Sequence, residues 1–321
     1  MKFTKYLLIA LLSIVLASCE KEPYTEYTFG IRDDKNIEEY EELAFNEGIY
    51  IPGVDFPDFY SVGAVVAGEN EGSGTLINSE WVVTAAHVLS DDNQTIPEAS
   101  TVEFFIGNDF LDPDFSYTAS EIFIHPGWFT NPETGDKEGV DIAIIHLSAP
   151  VTNITPIPAY FGENDVINNK IFVSGYGDYS EFLGVDIYTN RHAFENIMDR
   201  KLTNITPSNS YTGSDIYKGG IIACDFDNPD NTTNSLGIDA FYAVDDEFLS
   251  SGDSESQPLG LEGTTVPGDS GGAALMYLDG GWKIIGIVSY GNTDSEYGDI
   301  AVFTRISSHK NWIESVTGLV L

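Results

Sequence analysis

The strongest constraint on this chain is the pentapeptide Gly268-Asp269-Ser270-Gly271-Gly272, which comes directly before an apolar, strand-like run. Glycine on both sides of a serine allows backbone conformations that other residues avoid, and it leaves room for a substrate carbonyl. Such a turn can also direct amide N–H groups towards one point, as a developing oxyanion requires. Gly-rich turns carrying Ser or Asp also occur as ordinary hairpin loops, so the pentapeptide alone leaves both interpretations open.

A serine becomes a nucleophile only when a base takes its proton and a third group orients that base. Of the five histidines, His87 is the best candidate, because it follows the β-branched run 81–84 and two small alanines. Asp141 opens a second apolar run, residues 141–147. A carboxylate at the head of a buried strand needs a hydrogen-bond partner, and an imidazole N–H is a suitable one. The other four histidines are weaker candidates.

Three motifs, in the order His, Asp, Ser, resemble those of the chymotrypsin/trypsin-like serine proteases. They are Thr84-Ala85-Ala86-His87, Asp141-Ile142-Ala143-Ile144 and the pentapeptide around Ser270. Each motif alone is moderately specific, but the three in this order are strongly so. Weaker likenesses to the same family lie at residues 74–78, 124–128, 173–177 and 287–291, so the resemblance covers roughly residues 60 to 316.

The resemblance implies a role for each of these residues. His87 would be the general base and then the acid, Asp141 the orienting carboxylate, and Ser270 the nucleophile that forms an acyl-enzyme during peptide-bond hydrolysis. The N–H groups of Gly268 and Ser270 would form the oxyanion hole. The implied fold is all-β, with two antiparallel six-stranded β-barrels, and the implied reaction needs no cofactor. A catalytically silent, lipid-anchored binding protein with the same fold is the alternative.

The resemblance also indicates a substrate pocket. The residue six positions before the serine lies at the base of that pocket in the family, and here it is Thr264. Thr265, the run Ser289-Tyr290-Gly291 and Ala301 would line its walls. These residues are small or neutral, which favours a neutral, apolar or aromatic side chain at P1, the residue before the cut bond. Val288 stands where glutamate-specific relatives place a histidine, which argues against an acidic P1.

From about residue 60 onward, short runs rich in Val, Ile, Tyr, Phe and Thr alternate with turns rich in Gly, Asn, Asp and Pro, a spacing typical of an all-β sandwich or barrel. A C-terminal α-helix is predicted, with Ser307 or Ser308 as its N-cap and Gly318 after its end. A second, short helix is predicted over residues 36–45. The predicted strands include residues 61–67, 75–77, 81–84, 102–106, 122–124, 142–147, 170–174, 272–278 and 282–289.

Residues 1–18 have a basic start, a short apolar core and small residues at the end, a pattern typical of a secretory signal peptide. A membrane span would need about 20 apolar residues. Leu16-Ala17-Ser18-Cys19 resembles the bacterial lipoprotein box, in which Cys19 becomes the lipidated N-terminus. Lipidation would hold the protein to the cell envelope, at the outer membrane or cell surface and outside the cytoplasm. The alternative is an ordinary cleavage site followed by a chance cysteine.

Residues 19–48 are acidic and are predicted to form a tether or a propeptide, ahead of a protease domain over residues 49–321. In the family that this chain resembles, a new amino group produced by cleavage pairs with the acid before the serine, here the candidate activation acid Asp269. Ile49 or Ile51 could supply that amino group, and the cut would release the enzyme from its lipid anchor. The sequence leaves open whether the cleavage happens.

The formal net charge is -37, from 51 acidic and 14 basic residues. Such a chain repels nucleic acid, so the expected partners are protein or peptide substrates and, through Cys19, a membrane. The chain is expected to be a monomer. With Cys19 lipidated, Cys224 is the one remaining cysteine, and no intrachain disulfide can form.

Residues 179–263 depart most from the family, being longer and more acidic than the usual connection. A structural Ca²⁺ site there would need six or more oxygen ligands. The acidic run 225–231 matches no calcium-loop motif, so a solvated acidic loop is favoured over a calcium site, and no metal ligand is assigned.

Overall fold

The computed structural model describes residues 28–90, 95–129, 139–162, 165–202, 220–237, 254–291 and 294–321. The predicted signal peptide and Cys19 lie outside these ranges. No helix within them is long and apolar enough to cross a membrane.

The first sheet is a closed, antiparallel six-stranded barrel with the strand order β1-β2-β3-β6-β5-β4. Its strands consist of apolar residues in unbroken runs or in alternation with polar residues, and the side chains that point inward fill the barrel. The strands are β1 (Val62–Ala67), β2 (Asn70–Asn78), β3 (Trp81–Thr84), β4 (Val102–Ile106), β5 (Phe115–Ile124) and β6 (Ala143–Leu147).

The second sheet is also antiparallel and has seven strands in the order β8-β7-β11-β12-β13-β10-β9. The predicted all-β fold class is therefore confirmed. The seventh strand, beyond the expected six, is a three-residue segment that pairs with the edge of β10. The strands are β7 (Asn169–Gly175), β8 (His192–Met198), β9 (Arg200–Leu202), β10 (Ile221–Asp225), β11 (Ala273–Leu278), β12 (Gly281–Gly291) and β13 (Ile300–Arg305).

Three α-helices are described: α1 (Ile37–Ala44), α2 (Ser180–Leu183) and α3 (Lys310–Thr317). The predicted C-terminal helix is confirmed as α3, which ends at Gly318 with φ of 69°, a conformation that glycine adopts without strain. Its predicted N-cap is wrong. Ser307 and Ser308 lie in a 3-10 turn that precedes the helix, so the N-cap position falls on His309.

Helix α1 confirms the short helix predicted within the acidic N-terminal segment. Its buried face, which includes Tyr40 and Leu43, packs against β8. The Tyr40 hydroxyl accepts from Arg32 N at 3.1 Å and donates to the Glu262 carbonyl at 2.8 Å. These contacts join helix α1 and Arg32 to the rest of the protein, and the interpretation of residues 19–48 as a tether or a propeptide remains a prediction.

We expect Leu43→Ala to lower the free energy of unfolding by about 2–5 kcal/mol, because Leu43 is fully buried and its truncation leaves a cavity. The neighbouring Glu42 is exposed, so Glu42→Ala should change stability by less than about 0.5 kcal/mol. Urea unfolding of both variants measures the difference. Equal stabilities for the two variants would contradict the packing of α1.

Candidate active site

His87 and Asp141 meet because the strands that carry them are neighbours. His87 follows β3 in a 3-10 turn, Asp141 precedes β6, and the two strands pair in antiparallel register. His87 Nδ1 lies 2.8 Å from Asp141 Oδ2, and the backbone N–H of His87 donates to Asp141 Oδ1 at 3.0 Å. The Asp141 side chain is fully buried, while 34% of the His87 side chain is exposed. Asp141 therefore holds Nδ1 of the imidazole, while part of the ring is exposed to solvent.

A third donor to Asp141 comes from the second sheet. The hydroxyl of Ser289, in β12, donates to Asp141 Oδ2 at 2.6 Å. Burial by itself would raise the pKa of Asp141, but the charge of His87 and the hydrogen bonds from His87 and Ser289 outweigh burial. The pKa of Asp141 consequently lies below its ordinary value, and the carboxylate stays ionised at neutral pH.

Ser270 lies in a tight turn that is tied to the first barrel. Its carbonyl accepts from the N–H of Ser73, in β2, at 2.7 Å. Gly271 has φ of +83°, and a Cβ at that position would lie 2.2 Å from Oγ1 of Thr84, in the strand that leads to His87. Only glycine fits there, and this close approach brings Ser270 beside the turn that carries the imidazole.

Two amide groups of this turn are available to a ligand. Within the described part of the chain, the N–H groups of Gly268 and Ser270 donate to no protein acceptor, whereas those of Asp269 and Gly271 do. Gly268 has φ of +98°, and both Gly268 and Ser270 are partly exposed. Among the described residues, the turn therefore carries two backbone N–H donors that no protein group satisfies.

A pocket of about 200 Å³ lies next to Ser270. Of the predicted pocket residues, Thr265, Ser289, Tyr290 and Gly291 line it, and none of its described lining residues is charged. Three lining residues were not predicted as pocket walls, although two of them lead directly into the pentapeptide. They are Val266, Pro267 and Val288.

The predicted pocket residues Thr264 and Ala301 do not line this pocket. Thr264 is buried, and its N–H donates to the carbonyl of Gly30 at 3.0 Å, so the N-terminal segment covers it. Ala301 is fully buried in β13, between its partners Gly291 and Cys224 on the neighbouring strands. The placement of Thr264 at the base of the substrate pocket and of Ala301 in its wall remains a prediction. Cys224 is free and buried, as the cysteine count implies.

Asp269 is fully buried, and its described partners are two backbone N–H groups and one imidazole. Val266 N donates to Oδ2 at 2.9 Å, Gly177 N to Oδ1 at 3.1 Å, and His192 Nε2 lies 3.1 Å from Oδ1. His192 has no local sequence signal for this role, because its partner is 77 residues away.

The predicted sources of an activating amino group lie at the surface of this structure. Ile49 and Ile51 are 78% and 70% exposed, whereas Asp269 is fully buried. In the intact chain, the side chain that contacts the Asp269 carboxylate, among the described residues, is His192.

A second set of acidic side chains is buried at and around β10. Burial, followed by the nearby charge of Asp225, raises the pKa values of Asp199 and Asp227 to about 9, and burial raises that of Glu262 to about 7. The prediction of a solvated acidic loop is therefore wrong for Asp225 and Asp227, which are 3% and 4% exposed. Within the described residues, no three His, Cys, Asp or Glu side chains are arranged as a metal site.

Comparison with known proteins adds a family match. The family described as Trypsin matches residues 56–224 and 243–313. Complement C1s subcomponent of Sus scrofa is 26% identical over 75% of this chain and 31% of its own length. Transmembrane protease serine 11G of Rattus norvegicus is 25% identical over 76% of this chain and 49% of its own length. Tryptase of Mus musculus is 23% identical over 75% of this chain and 76% of its own length. The chain thus spans between a third and three quarters of these relatives.

We expect Asp227→Asn to stabilise the protein by more at pH 8 than at pH 5. The folded state keeps a proton on Asp227 up to about pH 9, whereas the unfolded chain releases it near pH 4. The folded state therefore binds more protons across this window, and the free energy of unfolding falls as pH rises.

The asparagine variant should exceed the wild type at pH 8 by more than about 1 kcal/mol, the equivalent of one unit of pKa shift. Urea unfolding at both pH values measures this difference. Asp186 is exposed, so Asp186→Asn is the control and should show no such pH-dependent gain. A gain of equal size at pH 5 would contradict the assignment of a neutral Asp227.

Proposed function

The chain belongs to the trypsin family of serine proteases, and on that premise we propose that it is an active serine endopeptidase. The observation that carries the proposal is the hydrogen-bonded pair of His87 and Asp141, which Ser289 links to the pocket that contains Ser270. The proposed reaction is hydrolysis of a peptide bond through an acyl-enzyme formed on Ser270.

His87 is the proposed general base. The hydrogen bond between its Nδ1 and Asp141 assigns the proton to Nδ1, which leaves the lone pair of Nε2 to accept the proton of the Ser270 hydroxyl. The Ser270 oxygen then attacks the substrate carbonyl, and His87 returns the proton to the leaving amine. Water hydrolyses the resulting ester by the same route in reverse. Asp141 stays ionised and stabilises the imidazolium, which the lowered pKa of Asp141 supports.

The N–H groups of Gly268 and Ser270 are the proposed oxyanion hole. Charge develops on the substrate carbonyl oxygen during attack, and two fixed donors stabilise it without reorganising. The absence of a protein acceptor for either donor, among the described residues, supports this role.

We assign the pocket beside Ser270 to the P1 side chain of the substrate. Its apolar members, and the absence of a charge among the described residues that line it, favour an uncharged P1 residue. The signal-like residues 1–18 and the lipoprotein-like Cys19 support a setting outside the cytoplasm, with lipid on Cys19 holding the enzyme to the bacterial envelope. Its substrates there would be proteins or peptides.

Ser270→Ala should abolish labelling by a fluorophosphonate probe and lower kcat for peptide hydrolysis by about 10⁴- to 10⁶-fold, because the nucleophile is removed. Ser116 is exposed on β5, so Ser116→Ala should label and turn over like the wild type. Gel fluorescence and a fluorogenic peptide assay give the two readouts. A folded wild type that neither labels nor cleaves would instead be a binding protein with this fold.

Digestion of a peptide library by the wild type should produce cuts after apolar or aromatic residues. Peptides with Arg, Lys, Asp or Glu at P1 should be cut at least about tenfold more slowly, because the neutral pocket leaves a buried charge unpaired. Mass spectrometry of the digest identifies the P1 residues, and Ser270→Ala provides the blank. Predominant cleavage after a charged residue would contradict the assignment of this pocket.

A further inference from the structure

The turn that presents the two free amides is organised around the carboxylate of Asp269. Asp269 N donates to the Val266 carbonyl at 3.1 Å, and Val266 N donates back to Asp269 Oδ2 at 2.9 Å. These two hydrogen bonds close the turn 266–269, which contains the N–H group of Gly268, and the peptide group after Asp269 carries the N–H group of Ser270. A group that holds the carboxylate also holds the proposed oxyanion hole.

His192 is the only side chain that donates to Asp269 within the described residues. Its Nε2 lies 3.1 Å from one carboxylate oxygen and 3.2 Å from the other. A carboxylate buried away from water is costly unless its oxygens are satisfied, and an added Cβ at Gly175 would lie 2.4 Å from Asp269 Oδ1, which leaves no room for a water on that side. The imidazole is therefore a required part of the site around Asp269.

His192 is itself held rigidly. It is fully buried at the start of β8, opposite Gly175 in β7, and its carbonyl accepts from the Ser174 hydroxyl at 2.8 Å. Its ring meets the edge of the Tyr179 ring with centroids 4.9 Å apart. Nδ1 is buried without a hydrogen-bond partner among the described residues, so the favoured tautomer carries its proton on Nε2, facing Asp269.

The uncut N-terminal segment forms part of the wall around this pair. Gly30 N donates to the Ser295 carbonyl at 2.7 Å, and the Gly30 carbonyl accepts from Thr264. A Cβ at Gly30 would lie 2.4 Å from Val266, and the ring of Phe29 packs edge-on against Tyr179. Residues 29 and 30 of the uncut segment therefore pack against the residues that surround Asp269.

We propose that His192 is the positioning residue of the active site: through Asp269 it holds the oxyanion-hole turn in the intact chain, so the enzyme is active without cleavage near Ile49 or Ile51. This inference rests on the proposed endopeptidase function. It predicts that residues 28–48 are a permanent part of the working enzyme and not a propeptide.

The first test is a kinetic comparison of His192 variants. His192→Ala should lower kcat by about 10²- to 10³-fold, the effect of losing an oxyanion-hole donor, with KM changed much less. His192→Gln keeps an N–H donor and should recover part of kcat, and added imidazole should raise kcat of His192→Ala but not of the wild type. Phe104→Leu, a buried-ring substitution in the first barrel, controls for lost stability and should keep kcat.

The kinetic outcomes separate the inference from the proposed function. An active wild type whose folded His192→Ala and His192→Gln variants keep its kcat would overturn the role of His192 and leave the endopeptidase intact. If His192→Ala does not fold, His192→Gln alone carries the comparison, and a kcat equal to that of Phe104→Leu would again reject the role.

The second test reads the N-terminus of the active molecules. After fluorophosphonate labelling, the intact mass of the labelled protein should include residues 28–48. Labelling confined to chains that begin at Ile49 or Ile51 would overturn the inference.

A third readout does not depend on activity. In ¹⁵N NMR spectra, the imidazole signals of His192, identified by their loss in His192→Gln, should shift in Asp269→Asn while those of His309 stay in place. If the wild type proves inactive, the proposed function fails, and this spectrum still decides whether His192 and Asp269 are paired. Unchanged His192 signals would rule the pair out.

Discussion

The arrangement of the two sheets depends on how one buried carboxylate is satisfied. Asp141 is removed from water, and its three donors come from the turn after β3 and from β12 in the other sheet. Separating the sheets would leave a buried charge short of a partner, which costs several kcal/mol. The same contacts that orient His87 for proton transfer therefore also fix the cleft, so fold stability and site geometry are coupled at this side chain.

Acidic side chains are buried in this protein in three physically different ways. Asp141 remains ionised because His87 and Ser289 compensate for its burial. Asp269 is satisfied by two backbone amides and His192. No cation among the described residues compensates for the burial of Asp199 and Asp227, and their raised pKa values keep them protonated at neutral pH. The first two arrangements orient neighbouring groups: Asp141 holds His87, and Asp269 holds the turn that leads to Ser270.

Local sequence pattern predicted the elements whose own side chains decide their structure. The predicted strand 81–84 coincides with β3, since every residue of it is apolar or β-branched and buried. The polar start of β2 escaped prediction, because Glu71 and its neighbours are strand only through pairing with β1. The contact of His192 with Asp269 and the burial of Thr264 were not predicted for the same reason, since each depends on a residue far away in the chain.

The N-terminal segment shows how composition and periodicity can give opposite predictions for the same residues. Its acidity indicated a solvated tether, yet the apolar residues of α1 recur at helical spacing and lie on one buried face, with the glutamates on the remaining surface. Composition averages over the faces of a helix, whereas packing depends on only one of them. That face packs on β8, the strand that begins with His192. Helix α1 and the imidazole that contacts Asp269 therefore depend on the same strand, so the packing of α1 supports the position of His192.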